Sequence, residues 1–175
     1  MEFLLLIYKI PSEPTRLRAA VWRKVKNIGA LYIQNSVCIL PANKESERHF
    51  RQLKREIEEM GGESYLFRSG LIASPDNIVI DLFNLARDEE YGEIVDKCQD
   101  FFREIEKEIN NSHFSYAELE ENEEDLEKLR KWYEKVVVRD VFGAKRRSEA
   151  EEFIQHCRDD LDHYSDLVFN NEDNK

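Results

Sequence analysis

The 175-residue chain has only six glycines, four prolines and three cysteines, and each shortage excludes a class of protein. It has no Gly-rich loop in which backbone N–H groups could cradle a phosphate, and no GxSxG elbow to expose a nucleophilic serine. Cys38, Cys98 and Cys157 are odd in number, lack paired CxxC spacing and fall on apolar periodic positions. They therefore fit small core hydrophobes in a reducing compartment better than a disulfide framework or a zinc site. No apolar run is long enough for a membrane span. The opening run, Phe3 to Ile10, also lacks the basic start and cleavage site of a signal peptide, so a soluble, cytoplasmic protein with no membrane partner is expected.

Charge is plentiful but unevenly divided. The net charge is -11, yet residues 1–70 hold 12 Lys or Arg against 8 Asp or Glu, a balance of +4, while residues 71–175 hold 14 against 29, a balance of -15. Such asymmetry points to two surfaces with different partners. A chain of this length can bury a core without metal or disulfides.

The first forty-one residues set the fold. Phe3, Leu5 and Ile7 alternate with Leu4, Leu6 and Tyr8, so both faces of the first strand are apolar and both should be covered. Ser12, with Pro14 in the first turn, is expected to cap a helix that ends before Gly29. Its stripe Leu17, Val21, Val25 and Ile28 faces the core, Arg16, Arg23 and Lys26 point outward, and Arg18 and Lys24 lie on the flanks. Val37 to Leu40 forms another strand, and Tyr65 to Phe67 is mixed, as an edge strand would be. Between them a helix from Lys44 to Met60 buries Phe50, Leu53, Ile57 and Met60 and turns Lys44, Arg48, Arg51 and Arg55 outward.

The order strand-helix-strand-strand-helix-strand predicts an α+β protein with a ferredoxin-like βαββαβ core over residues 1–70, whose right-handed crossovers set both helices on one side of the sheet. The outward cations then form one basic platform suited to phosphates. Arg16, Arg18, Arg23, Lys26, Lys44, Arg48, Arg51 and Arg55 are the candidate nucleic-acid-binding residues. Intrahelical pairs such as Arg51 with Glu47 are the plainer explanation of the same charges. A homodimer through the second sheet face is expected.

Beyond Phe67 the hydrophobic period lengthens to that of helices. Ser74-Pro75-Asp76 starts a short helix on Ile78, Leu82 and Leu85, and a long one follows on Ile94, Cys98, Phe101 or Phe102, Ile105 and Ile109, ending at Asn110-Asn111-Ser112. Capping boxes at Ser115 with Glu118 and at Ser148 with Glu151 start two more. Residues 71–170 are thus a helical extension of three to four helices packed on the core, and 171–175 a frayed tail.

Glu152, His156, Asp159 or Asp160, and His163 share one helix face at ligand-like spacing, but no second helix carries a matching Glu-x-x-His. No metal, no cofactor and no catalytic residue is expected. Arg87-Asp88-Glu89-Glu90 and Arg139-Asp140 fit solvated helix ends.

The run LLLIYKIPSEPTRLRAAVWRKVKNIGALYIQNSVCILP, with ARDEEY at Ala86 to Tyr91, AELEENEEDLEKLRKW at Ala117 to Trp132 and RDVFGA at Arg139 to Ala144, resembles the N-terminal region of the chromate-resistance regulatory protein ChrB. The second domain of longer family members would begin where this chain stops. The resemblance implies a ferredoxin-like core similar to the small CRISPR-associated nuclease and to the middle domain of phenylacetate-type repressors, with a role near transcriptional control. Tyr8-Lys9-Ile10 stands where that nuclease needs a metal-binding acid. A non-enzymatic regulatory or DNA-associated module is therefore expected, with a metal-dependent nuclease or a protein-binding module using the acidic helices as alternatives.

Overall fold

The computed structural model describes residues 1–73, 75 and 77–173. Four strands, β1 (Glu2–Lys9), β2 (Leu31–Gln34), β3 (Val37–Pro41) and β4 (Glu63–Gly70), form one antiparallel sheet in the order β2-β3-β1-β4. Helix α1 (Arg16–Asn27) joins β1 to β2, and α2 (Lys44–Glu59) joins β3 to β4. Among the described residues this gives an α+β protein with five helices. The chain divides into two compact units, Met1–Phe83 and Asn84–Lys175.

In the first unit the β1 alternation sorts side chains as its two apolar classes require. Leu4 and Leu6 join Cys38 and Leu40 of β3 in a core closed by Val21 and Val25 of α1 and by Phe50, Leu53 and Ile57 of α2. Burial of about 25 cal/mol per Å² of apolar surface makes such a two-helix cover the main stabilising term. On the opposite face, the pairs Leu5–Ile39 and Leu5–Phe67 fix the register. Phe3 and Ile39 are buried there, whereas Tyr65 and Phe67 stay 58% and 51% exposed. Gly61 and Gly62 make the α2–β4 turn: Gly61 has φ +79°, and a Cβ on Gly62 would lie 2.5 Å from the Lys9 carbonyl oxygen. Only glycine fits both demands.

Helix α2 has the expected extent, and the Asn43 side chain caps it by accepting from the Ser46 N–H at 2.8 Å. Helix α1 starts later than expected. Its N-cap is Thr15, without a side-chain cap bond, and the Leu17 N–H donates to the Pro14 carbonyl at 3.0 Å. Pro14 disfavours the helical region for Glu13, which keeps a helix from reaching back to Ser12.

The second unit contains most of α3 (Asn77–Asn110), with α4 (Tyr116–Arg139) and α5 (Arg147–Asp173). Its core includes Ile94, Cys98, Phe101 and Ile105 of α3, Leu119 and Val136 of α4, and Ile154, Cys157, Leu161, Tyr164 and Val168 of α5. These are largely the stripes the sequence marks, and α3 ends at Asn110 as expected.

Three details are corrected. The short and long helices expected over this stretch are one continuous α3, because its buried phase runs Val79, Phe83, Arg87, Tyr91, Ile94 and Cys98 with an arginine at one core position. Ile78, Leu82 and Leu85 consequently lie on the exposed side. Ser115 does cap α4, accepting from the Glu118 N–H at 3.3 Å, but α5 starts at Arg147, with Ser148 inside its first turn. Asp88 of α3 takes the Arg146 N–H at 2.8 Å in place of a local cap. Ser74 and Asp76 of the expected helix start, and residues 174 and 175 of the expected frayed tail, lie outside the described residues.

Candidate functional site

The period of α2 places its four candidate cations on one side. Lys44, Arg48, Arg51 and Arg55 are all exposed and line a single open groove of about 600 Å³ together with Glu47, Lys54 and Glu58. Their freedom differs. Arg51 donates to Glu47 Oε1 from Nε at 2.9 Å and from Nη2 at 2.7 Å, and this pair of bonds to one oxygen holds the Glu47 carboxyl below its ordinary range. Arg68 of β4 reaches the other Glu47 oxygen at 3.2 Å. Arg48 approaches Glu45 at 3.9 Å, both side chains well exposed, a geometry worth little. Lys44 and Arg55 form no ion pair among the described residues.

On α1, Arg16, Arg23 and Lys26 are exposed, and Arg16 and Arg23 form no ion pair among the described residues. Lys26 lies over the Trp22 ring, its Nζ 5.0 Å from the centroid. Arg18 faces another way: it lines a separate cavity with Trp22 and the end of β1. Lys24, on the flank toward α2, pairs with Glu56 at 2.5 Å. The sequence-predicted cations thus occupy the outer surfaces of two helices that share one core, with Arg18 on a different flank.

A second charged cluster, which the sequence suggested was solvated, lies inside the helical unit. Glu90 sits between two guanidiniums, 3.1 Å from Arg87 and 2.6 Å from Arg139. The Arg87 side chain is 6% exposed and that of Glu90 10%. Burial pulls the Arg87 pKa down and Glu90 opposes it. The Nε and Nη1 of Arg87 and the Oδ1 of Asn84 are buried without a partner.

Next to this, Tyr91 donates to Asp140 Oδ2 at 3.1 Å, while Asp140 Oδ1 accepts the N–H groups of Gly143 and Ala144 at 3.0 and 2.9 Å. Desolvation, with the Asp140 charge, raises the Tyr91 pKa and keeps the phenol neutral. A Cβ on Gly92 would fall 2.2 Å from Arg146 Nη1, so glycine there lets that guanidinium approach α3. The network joins α3 to the α4–α5 turn through ionic and backbone bonds. The signal available in the sequence was the core-phase position of Arg87.

In the same unit a groove of about 690 Å³ between α3 and α4 carries Asp100, Glu104, Glu118, Glu121 and Asp125 beside Phe101 and Trp132. The Glu152, His156, Asp159, Asp160 and His163 face is exposed. Among the described residues, no group of three or more His, Cys, Asp or Glu could hold a metal ion. No helix among them is long and apolar enough to cross a membrane.

No curated protein and no solved structure matches the chain. The family described as protein ChrB, N-terminal, matches residues 18–175, a span that takes in Arg18 of α1, the whole of α2 and both halves of the buried Arg87–Glu90–Arg139 network. With all but the first seventeen residues inside that match, the chain belongs to the ChrB N-terminal family.

Proposed function

We propose that the chain is a non-enzymatic, DNA-associated module of chromate-response regulation, whose ferredoxin-like core meets the phosphates of duplex DNA through α1 and α2. The βαββαβ order, the sheet order β2-β3-β1-β4 and the placement of both helices in one core support the ferredoxin-like assignment. The observation that carries the DNA reading is the single groove lined by Lys44, Arg48, Arg51 and Arg55. Phosphate contacts of this kind supply sequence-independent affinity, and the acidic remainder of the chain confines that affinity to one surface. Lys9, the last residue of β1, stands where the resemblance to the small CRISPR-associated nuclease would call for a metal-binding acid.

The test is fluorescence anisotropy on a labelled duplex across a salt series. The four cations of the α2 groove alone give a slope of log affinity against log salt of about -4, and contacts from α1 steepen it. Absence of binding at low salt, or a flat salt response, removes the proposal.

A homodimer through the outer sheet face belongs to the same reading. Ile7, Tyr65 and Phe67 leave apolar side chains in water on that face of the separate chain, and apolar patches of this kind mark association. Light scattering is expected to give twice the chain mass, falling to one chain in Phe67→Glu; a single-chain mass for the unaltered protein rules the dimer out.

A further inference from the structure

The end of the sheet opposite Phe3 holds a cavity of about 660 Å³, lined by Tyr8 and Lys9 of β1, Arg18 and Trp22 of α1, Tyr32 of β2 and Asn35 of the β2–β3 turn among others. That volume falls in the range of small-ligand sites, roughly 300–1,000 Å³. No carboxylate lines it, and its two charged side chains, Lys9 and Arg18, form no ion pair among the described residues. Trp22 is 49% exposed beside them. The half-exposed indole, with Lys26 Nζ over its ring at 5.0 Å, and the two cations beside it together suit a planar, anionic ligand. The Tyr8 and Tyr32 hydroxyls bond each other at 2.7 Å, and desolvation raises both pKa values, so neither phenol adds negative charge.

We propose that this cavity binds a nucleotide, with the base stacked on Trp22 and the phosphate held by Arg18 and Lys9. A planar aromatic ring joined to an anion is the ligand chemistry that satisfies the indole and the cations together; sites for unpaired nucleotides combine these same two elements. The Asn35 amide and the tyrosine hydroxyls line the same space and offer donors and acceptors to a base edge. Single-stranded DNA or RNA and free nucleotides share this chemistry. The site lies apart from the α2 groove and goes beyond the duplex reading.

The chain has two tryptophans, so Trp132→Phe leaves Trp22 as the fluorescent reporter. Saturable quenching of Trp22 by short oligothymidylate or by adenosine monophosphate is expected. Quenching by the strand alone assigns the cavity to strand residues, and quenching by both extends it to free nucleotides. With a labelled strand, Trp22→Ala should weaken binding by about tenfold, the loss typical of one stacked base. Arg18→Ala should also weaken it, with circular dichroism unchanged in both variants. Arg48→Glu with Arg55→Glu, on α2, should leave the quenching intact. No quenching by either probe overturns the proposal. So does quenching that survives Arg18→Ala at full strength, or that is lost with the α2 reversal.

Discussion

Glu90→Ala is expected to lower the unfolding free energy by about 3–5 kcal/mol, the cost of removing one partner from a buried ionic set. Glu90 lies between Arg87 and Arg139, and the three side chains are 10%, 6% and 14% exposed. Water therefore screens little of the charge that the substitution leaves behind. Arg87 already has two guanidinium nitrogens without a partner, so the loss of Glu90 strips it of the one carboxylate it pairs with among the described residues. An exposed pair on the same unit, Lys128 with Asp125 at 2.8 Å, should matter far less, because solvent replaces what is lost. Glu90→Gln, which keeps the shape and some hydrogen bonding but not the charge, is expected to fall between alanine and the native residue. Urea unfolding followed by circular dichroism measures all of them. A midpoint for Glu90→Ala equal to that of the Asp125→Ala variant would show that the network contributes no more than a surface pair.

The same buried arginine explains where the sequence was legible and where it was not. Alternation in β1 and the stripes of α1 and α2 gave the βαββαβ order, because every core position there is apolar or small: Val21, Val25, Phe50, Leu53 and Ile57 all proved buried. In α3 the core phase passes through Arg87, so the stripe looks broken, and Ile78, Leu82 and Leu85 offer a competing apolar face that the fold leaves exposed. A charged residue is read as solvated by default, since an unpaired buried charge is prohibitive. What reverses that default is Glu90, which pairs with both Arg87 and Arg139, and Arg139 lies about fifty residues further on, where no local pattern reveals it. Start sites failed for a related reason. Ser148 looks like a cap, yet the N–H group at that helix start is taken by Asp88, which comes from another helix. The exposed candidate site was easier to read: helical period alone placed Lys44, Arg48, Arg51 and Arg55 on one side. Period could not show that Arg51 is engaged by Glu47, nor that Arg18 turns to a different cavity.

Arg48→Glu combined with Arg55→Glu is expected to weaken duplex binding on the order of 100-fold at low salt, with little effect on stability, because it replaces two phosphate contacts by two repulsions. The pair is chosen from the geometry. Both residues line the α2 groove and are exposed, Arg55 forms no ion pair among the described residues, and the contact of Arg48 with Glu45 is long at 3.9 Å. Reversal therefore breaks no buried interaction, and surface changes of this type shift folding free energy by roughly 0.5 kcal/mol. Arg51→Ala should cost less affinity than Arg55→Ala, since Arg51 must first give up two hydrogen bonds to Glu47 Oε1 before it can reach a phosphate. The salt slope should also flatten by about two units in the double reversal, one for each contact removed. Affinity and slope unchanged in a variant that still folds would move the DNA surface off α2 altogether.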